Sequence, residues 1–410
     1  VTAARRSLWA GRVLALVGIM LAAVNLRTAV GALSPLVGVI DADIGLGALG
    51  AGFLGMLPPL CFAVFGLLTP LVSRRYPIEA VLIVAIAAML GGHLVRAAAG
   101  GFPQLAIGSA ICFAGMGAGN VLLPPLVKKY FPDRVGLMTS LYATVMAVST
   151  LFPPLVAVPV AEGSSWHVSL GLWGLFAGAA LVPWVIQLLA ERRRGVATGL
   201  IDIIGEPSGR VPVARSWIAW ALVVVLMESS IGAYSMFAWL PSIMQDVAGA
   251  SAAEAGLYLS LFAAMGIPTA ILVPMMVTRF RRIDLVVCAG GAFFVAGYLG
   301  LVLAPTTLPV LWVALAGMGP LLFPMALTLI NVRSATQSGA LALSGFVQGA
   351  AYVAAGLGPL GMGLLHDATG SWTPGLLLLA ALCTLCIPAG LIVARNRTVE
   401  SELRGRGLMD

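Results

Sequence analysis

Two ionisable side chains lie where an apolar chain should carry none. Arg27 falls in "LAAVNLRTAVGAL" (Leu21–Leu33), inside an apolar run from Val13 to Ile40, and Glu228 in "VLMESSIGAYSMF" (Val225–Phe237). At ~1.5 Å rise per residue, a ~30 Å hydrocarbon core needs about 20 residues, so both runs can cross a bilayer. An arginine at mid-depth costs on the order of 2.5–3.5 kcal/mol on insertion scales, and such residues are functional candidates by default. Arg27 offers a permanent charge and a planar fork of N–H donors, which suits a small anion or a planar, acceptor-rich molecule. Glu228 offers a carboxyl that can carry a proton. Two arrangements stay open at this level. The pair can bond to each other and close a joint between helices, or each can act separately. Measured against Pro35 and Pro241, Glu228 lies roughly 7 Å nearer the cytoplasm than Arg27, which speaks against a simple fixed pair.

Polar and aromatic residues at similar depth supply the remaining candidates for a binding pocket. Asn25 stands two residues from Arg27 and so points to a different face of the helix. Asn120 follows a glycine-rich stretch that permits close helix approach. Tyr142, Tyr234 and Trp239 add hydroxyl, ring and indole groups, Trp239 with Phe237 forming either a pocket wall or part of an outer aromatic belt. Gln348 and Tyr352 are four residues apart and share one helix face. His93, His167 and His366 lack metal-ligand spacing and are expected near the outer membrane interface. The five cysteines all fall in apolar runs, and Cys383-Thr-Leu-Cys386 is read as packing, since no thioredoxin-like context surrounds it. No Walker, HExxH or GxSxG motif occurs. No enzyme activity, metal or cofactor is expected.

These side chains have to be held by membrane helices. Charged residues make up 10% of the chain against roughly 25% in soluble domains, hydrophobic ones make up 60%, and the mean hydropathy is +1.03. Continuous rather than alternating apolar runs exclude a β-barrel. Twelve runs are expected as helices: 12–40, 48–73, 78–99, 103–127, 135–160, 167–190, 217–244, 254–279, 283–304, 308–332, 338–364 and 374–394. The first is too long for a cleavable leader and is expected to stay as an anchor. With both termini in the cytoplasm, every Lys and Arg except Arg27 and Arg96 falls on the cytoplasmic side. The formal charge of +7 therefore reports topology rather than nucleic-acid binding, and it places the chain in an inner membrane.

The longest polar connection, 191–216, divides the chain into 1–190 and 217–394, followed by a cytoplasmic tail, 395–410. "AGMG" recurs at Ala114 and Ala316, Arg74-Arg75 at Arg281-Arg282, and Pro35 at Pro241, all at a nearly constant offset. Two parallel six-helix repeats related by a pseudo-two-fold axis are the architecture of major facilitator transporters, which bind substrate near the midplane between the halves.

Four longer stretches narrow this further. "NLRTAVGALSPLV" (Asn25–Val37), "GAGNVLLPPLVKKYFPDRVGLMTSLYAT" (Gly117–Thr144), "AWLPSIMQD" (Ala238–Asp246) and "LSGFVQGAAYVAAGLGPLGMGLLHDATGSW" (Leu343–Trp372) resemble the cyanate/nitroimidazole permease family of the major facilitator superfamily. "GLLTPLVSRRY" (Gly66–Tyr76) keeps only part of the superfamily's loop signature, with Pro70 where an aspartate is usual. The resemblance implies a secondary transporter of small molecules, with cyanate, nitroimidazoles, other small anions and drug-like compounds among the family's substrates; a monomer that moves a small anion or polar planar molecule by alternating access is expected. On the residue reading, Arg27, Asn25, Asn120, Tyr142, Tyr234, Trp239, Gln348 and Tyr352 are its candidate binding residues and Glu228 its candidate proton carrier. Efflux of drug-like compounds, or a membrane sensor that transports nothing, are the competing readings.

Overall fold

The computed structural model describes residues 12–73, 75–193, 212–280, 282–395 and 397–409. The expected connection 191–216 lies outside them over 194–211, as do Arg74 and Arg281. Helices 1 to 12 run over Val13–Ile44, Gly47–Ser73, Ile78–Ala97, Phe102–Tyr130, 135–163, 166–193, Trp217–Ala248, 252–278, Ile283–Leu303, Pro309–Val332, Gln337–Thr369 and Thr373–Ala394. Spans in eleven of them are long and apolar enough to cross a membrane. The remaining one, helix 11, is 33 residues long and packs along helices 2 and 7. No strand occurs among the described residues.

Proline accompanies several of the breaks in these helices. It has no N–H for the carbonyl one turn earlier, and its ring crowds that carbonyl. Helix 1 accordingly stops at Gly31, one turn before Pro35, and passes through a 3-10 turn at Ser34–Leu36. Helix 5 breaks after Ser149 ahead of Pro153 and Pro154, helix 8 after Ala264 ahead of Pro268, and helix 12 after Cys383 ahead of Pro388. Thr150 and Thr384 hydroxyls donate to Met146 and Ala381 carbonyls at the breaks in helices 5 and 12.

Two six-helix bundles result. One apolar core joins residues between Ala15 and Trp184; two more belong almost wholly to helices 7–12. The outward faces carry bare aliphatic side chains such as Val84, Leu175 and Leu303, each more than two-thirds exposed, as a lipid surface requires. Inside a bundle, small residues set the helix spacing. A Cβ on Gly92 would lie 2.6 Å from the Cys112 nitrogen, and one on Gly108 would lie 2.9 Å from that of Arg96, so helices 3 and 4 touch backbone to backbone.

The bundles meet tightly in the outer half of the membrane. A Cβ on Gly55 of helix 2 would sit 2.8 Å from Ala238 Cβ and 2.9 Å from Pro359 Cβ, and one on Gly52 would sit 3.3 Å from Leu360 Cα. Ser260 of helix 8 donates to the Leu151 carbonyl of helix 5 at 3.0 Å. The outer side is closed.

The tail is a folded clasp. Helix Val399–Gly405 places Glu402 against the start of helix 7, where it accepts from the Ser216 hydroxyl (2.6 Å) and the Trp217 and Ile218 amides (2.8 and 3.2 Å). Glu400 accepts from the Ala335 and Thr336 amides at the start of helix 11 (2.9 and 3.1 Å). Each carboxylate satisfies N–H groups that a helix start leaves without intrahelical partners. Burial pushes the Glu402 carboxyl up, but the Ser216, Trp217, Ile218 and Arg406 bonds outweigh it and hold the group below its usual range.

Candidate functional site

Helices 1, 2, 7 and 11 converge at the joint between the bundles, and each brings one side chain. Arg27 is half-buried on helix 1; its Nη1 donates to the Leu26 carbonyl at 3.1 Å, and its Cζ stands 5.9 Å from the centre of the Phe62 ring. Phe62, Tyr234 and Tyr352 form a triangle of edge-on rings, every pair of centres 6.4 Å apart. Among the described residues no carboxylate forms an ion pair with Arg27. A guanidinium held over an aromatic face, with no internal counter-charge, presents donors to whatever enters.

The candidates drawn from sequence separate into those at this joint and those elsewhere. Arg27, Tyr234 and Tyr352 come together. Gln348 lies one turn below Tyr352, its amide donating to Ser344 Oγ at 2.7 Å. Asn120 on helix 4 and Tyr142 on helix 5 are half-buried; Asn120 donates to the Met116 carbonyl (2.9 Å) and Tyr142 packs on the core of the first bundle. Asn25 is turned away from Arg27 and donates to the Leu21 and Phe176 carbonyls (2.8 and 3.1 Å), tying helix 1 to helix 6. Trp239 sits in the closed outer layer, donating to the Pro359 carbonyl at 2.7 Å and packed on Trp372. It joins helices 7 and 11 and does not touch Arg27.

Glu228 does not pair with Arg27. Its buried carboxylate accepts from Cys386 Sγ at 2.9 Å, within the second bundle, because that face of helix 7 is turned to helix 12. The cysteine pair read as packing therefore includes a hydrogen-bond donor. His93 also departs from its expected interfacial place. It is buried on helix 3, with Nδ1 3.0 Å from the Leu170 carbonyl and Nε2 3.5 Å from Cys112 Sγ. Phe62 was missed from sequence because one more aromatic in an apolar run carries no distinguishing signal.

Between the triangle and the closed outer layer lies a small cleft at the joint of the bundles, lined by Ser34, Leu54, Gly55, Phe113, Tyr234 and Phe237 among others.

The comparisons agree with this architecture. Residues 16–343 match the Major Facilitator Superfamily. The chain is 33% identical over 94% of its length to an uncharacterized transporter, YycB, of Bacillus subtilis, and covers 94% of that protein. It is 29% identical to the 2-nitroimidazole transporter of Escherichia coli, covering 95% of this chain and 97% of that one. The cyanate transport protein CynX of Escherichia coli is 28% identical over 71% of this chain and 74% of its own. Among solved structures, a D-xylose–proton symporter superposes with a TM-score of 0.70 at 14% identity, covering 93% of this chain and 98% of that one, a likeness of fold alone. The chain belongs to the major facilitator superfamily, within its cyanate/2-nitroimidazole-permease-like family, and is a multi-pass membrane transporter of small molecules rather than an enzyme.

Proposed function

We propose that the protein carries a small anion or a polar planar molecule, cyanate- or nitroimidazole-like in size and shape, across the inner membrane by alternating access. Residues 1–190 and 217–394 would rock as two bodies about the Arg27 layer. One observation carries this reading: Arg27 stands over Phe62 beside Tyr234 and Tyr352, at the joint of the bundles, without a carboxylate partner among the described residues. A planar anion fits both parts of that site, its acceptors on the guanidinium fork and its face against the rings. Glu228 is the proton carrier in this scheme. Since Cys386 holds its carboxylate inside the second bundle, it acts through helix 7 rather than by exchanging places with substrate at Arg27.

Binding of cyanate, nitrate and 2-nitroimidazole to purified protein tests the site. Arg27→Lys keeps the charge and loses the fork, so affinity is expected to fall by about tenfold or more, the worth of one charge-assisted bond. Arg27→Ala should abolish specific binding. Wild-type affinity in folded Arg27→Ala protein removes Arg27 from the site, and binding of lipophilic cations alone makes the protein a drug-efflux carrier instead.

A further inference from the structure

The second membrane arginine has no role in this scheme. Arg96, near the outer end of helix 3, is fully buried and forms no ion pair among the described residues. Its Nη1 donates to the Ala29 carbonyl at 3.4 Å, while Nε and Nη2 are buried with no hydrogen-bond partner. Those two atoms are adjacent on the guanidinium and send parallel N–H bonds from one edge, the edge that grips a planar oxyanion through two oxygens. Among the described residues no carboxylate pairs with it. The Cys112 thiol is the weak polar neighbour of the guanidinium and makes no well-formed hydrogen bond with Nε or Nη2, and His93 is engaged with Leu170 and Cys112.

This arginine is one ring away from the cleft, behind Phe113. Its Cζ lies 5.9 Å from the centre of the Phe113 ring, and Phe113 lines the cleft together with Ser34, whose buried hydroxyl likewise lacks a partner. Arg27 and Arg96 contact helix 1 at the Leu26 and Ala29 carbonyls, three residues and about 4.5 Å apart along the axis. From Arg27 the aromatic contacts run through Phe62 to Tyr234, and from Tyr234 across the cleft wall to Phe113 and Arg96.

We propose that Arg96 is a second binding site, specific for a small planar monovalent oxyanion, entered from the cleft when the Phe113 ring turns aside. It takes the anion edge-on through Nε and Nη2 while Nη1 keeps helix 3 on helix 1. The site exists whether or not Arg27 binds substrate.

The test uses the purified full-length Arg27→Ala protein, in which the central guanidinium is gone, titrated with sodium formate, nitrate or chloride at constant ionic strength. Saturable thermal stabilisation by formate and nitrate is expected, with chloride at least about tenfold weaker because a single acceptor atom cannot lie in line with both parallel N–H bonds. Adding Arg96→Met should remove the stabilisation, and adding Arg96→Lys should erase the preference for formate over chloride. Stabilisation unchanged in the Arg27→Ala/Arg96→Met protein overturns the proposal. So does its complete loss in Arg27→Ala alone, which leaves one site at Arg27. If the Arg96 variants do not fold, the carboxylate stretch of 13C-formate in Arg27→Ala protein decides: a saturable shifted band supports the site, and its absence refutes it.

Discussion

Gly55→Ala should open the transporter outward. In the present conformation the added methyl would lie 2.8 Å from Ala238 Cβ and 2.9 Å from Pro359 Cβ, where carbon atoms prefer about 3.5–4.0 Å. The bundles must separate by most of an ångström, or the neighbours must strain. Overpacking of this kind costs about 1–3 kcal/mol. The higher helix propensity of alanine acts in both conformations and cancels. The penalty is confined to the state closed on the outside, so the equilibrium moves toward the outward-open state by about 5- to 150-fold. A cysteine at Val37, which lines the cleft, reports the change when intact cells are treated with a membrane-impermeant maleimide. The labelling rate follows the open fraction and should rise by that factor, up to saturation. Gly256→Ala, whose methyl would overlap the Pro154 carbonyl of the other bundle, should act alike. Gly361→Ala meets nothing within 4 Å and serves as control. Equal rates in wild type and both interface variants, or an equal rise in the control, would refute the reasoning.

Two further outcomes are expected. Glu228→Gln should keep counterflow exchange in proteoliposomes while losing uphill uptake driven by a pH gradient; accumulation with normal pH dependence removes Glu228 from coupling. Glu402→Gln should destabilise the fold at neutral pH by about 1.5–3 kcal/mol for the loss of charge-assisted bonds to helix 7, read as a lower melting temperature. Because that carboxyl is held below its usual range, its stabilisation is complete above the ordinary glutamate value of about 4.3 and lost as pH falls through the lower folded value. The gap between wild type and variant should therefore close on acidification, and a gap that persists at low pH contradicts the clasp.

The helices were legible in the sequence for a simple reason: length and charge placement act locally, whereas their breaks appear only in the structure. Arg27 was legible because a charge in hydrocarbon is costly, and the Tyr352 face because spacing of four is a helical period. Rotation was not legible. A membrane helix is apolar toward its neighbours and toward lipid, so the periodicity that marks a buried face in water is absent. Hence Glu228 and Arg27 could be placed in nearby layers but not turned, and the structure turns one to helix 12 and the other to the joint. Asn25 and His93 point into the first bundle for the same reason. The clasp was hidden because its bonds join Glu402 to Ser216, residues 186 apart in sequence.

The thiol that meets Glu228 bears on how this protein can be probed. Site-directed labelling usually begins by deleting native cysteines as if they were inert. Here deletion of Cys386 strips a buried carboxylate of a donor, so a cysteine-free background would be altered at the group proposed to carry protons before any label is attached. Labelling designs should keep Cys386 and rely on its burial for silence toward impermeant reagents. Where it has to be replaced, serine preserves a donor and alanine does not. A difference between those two replacements would measure the hydrogen bond itself.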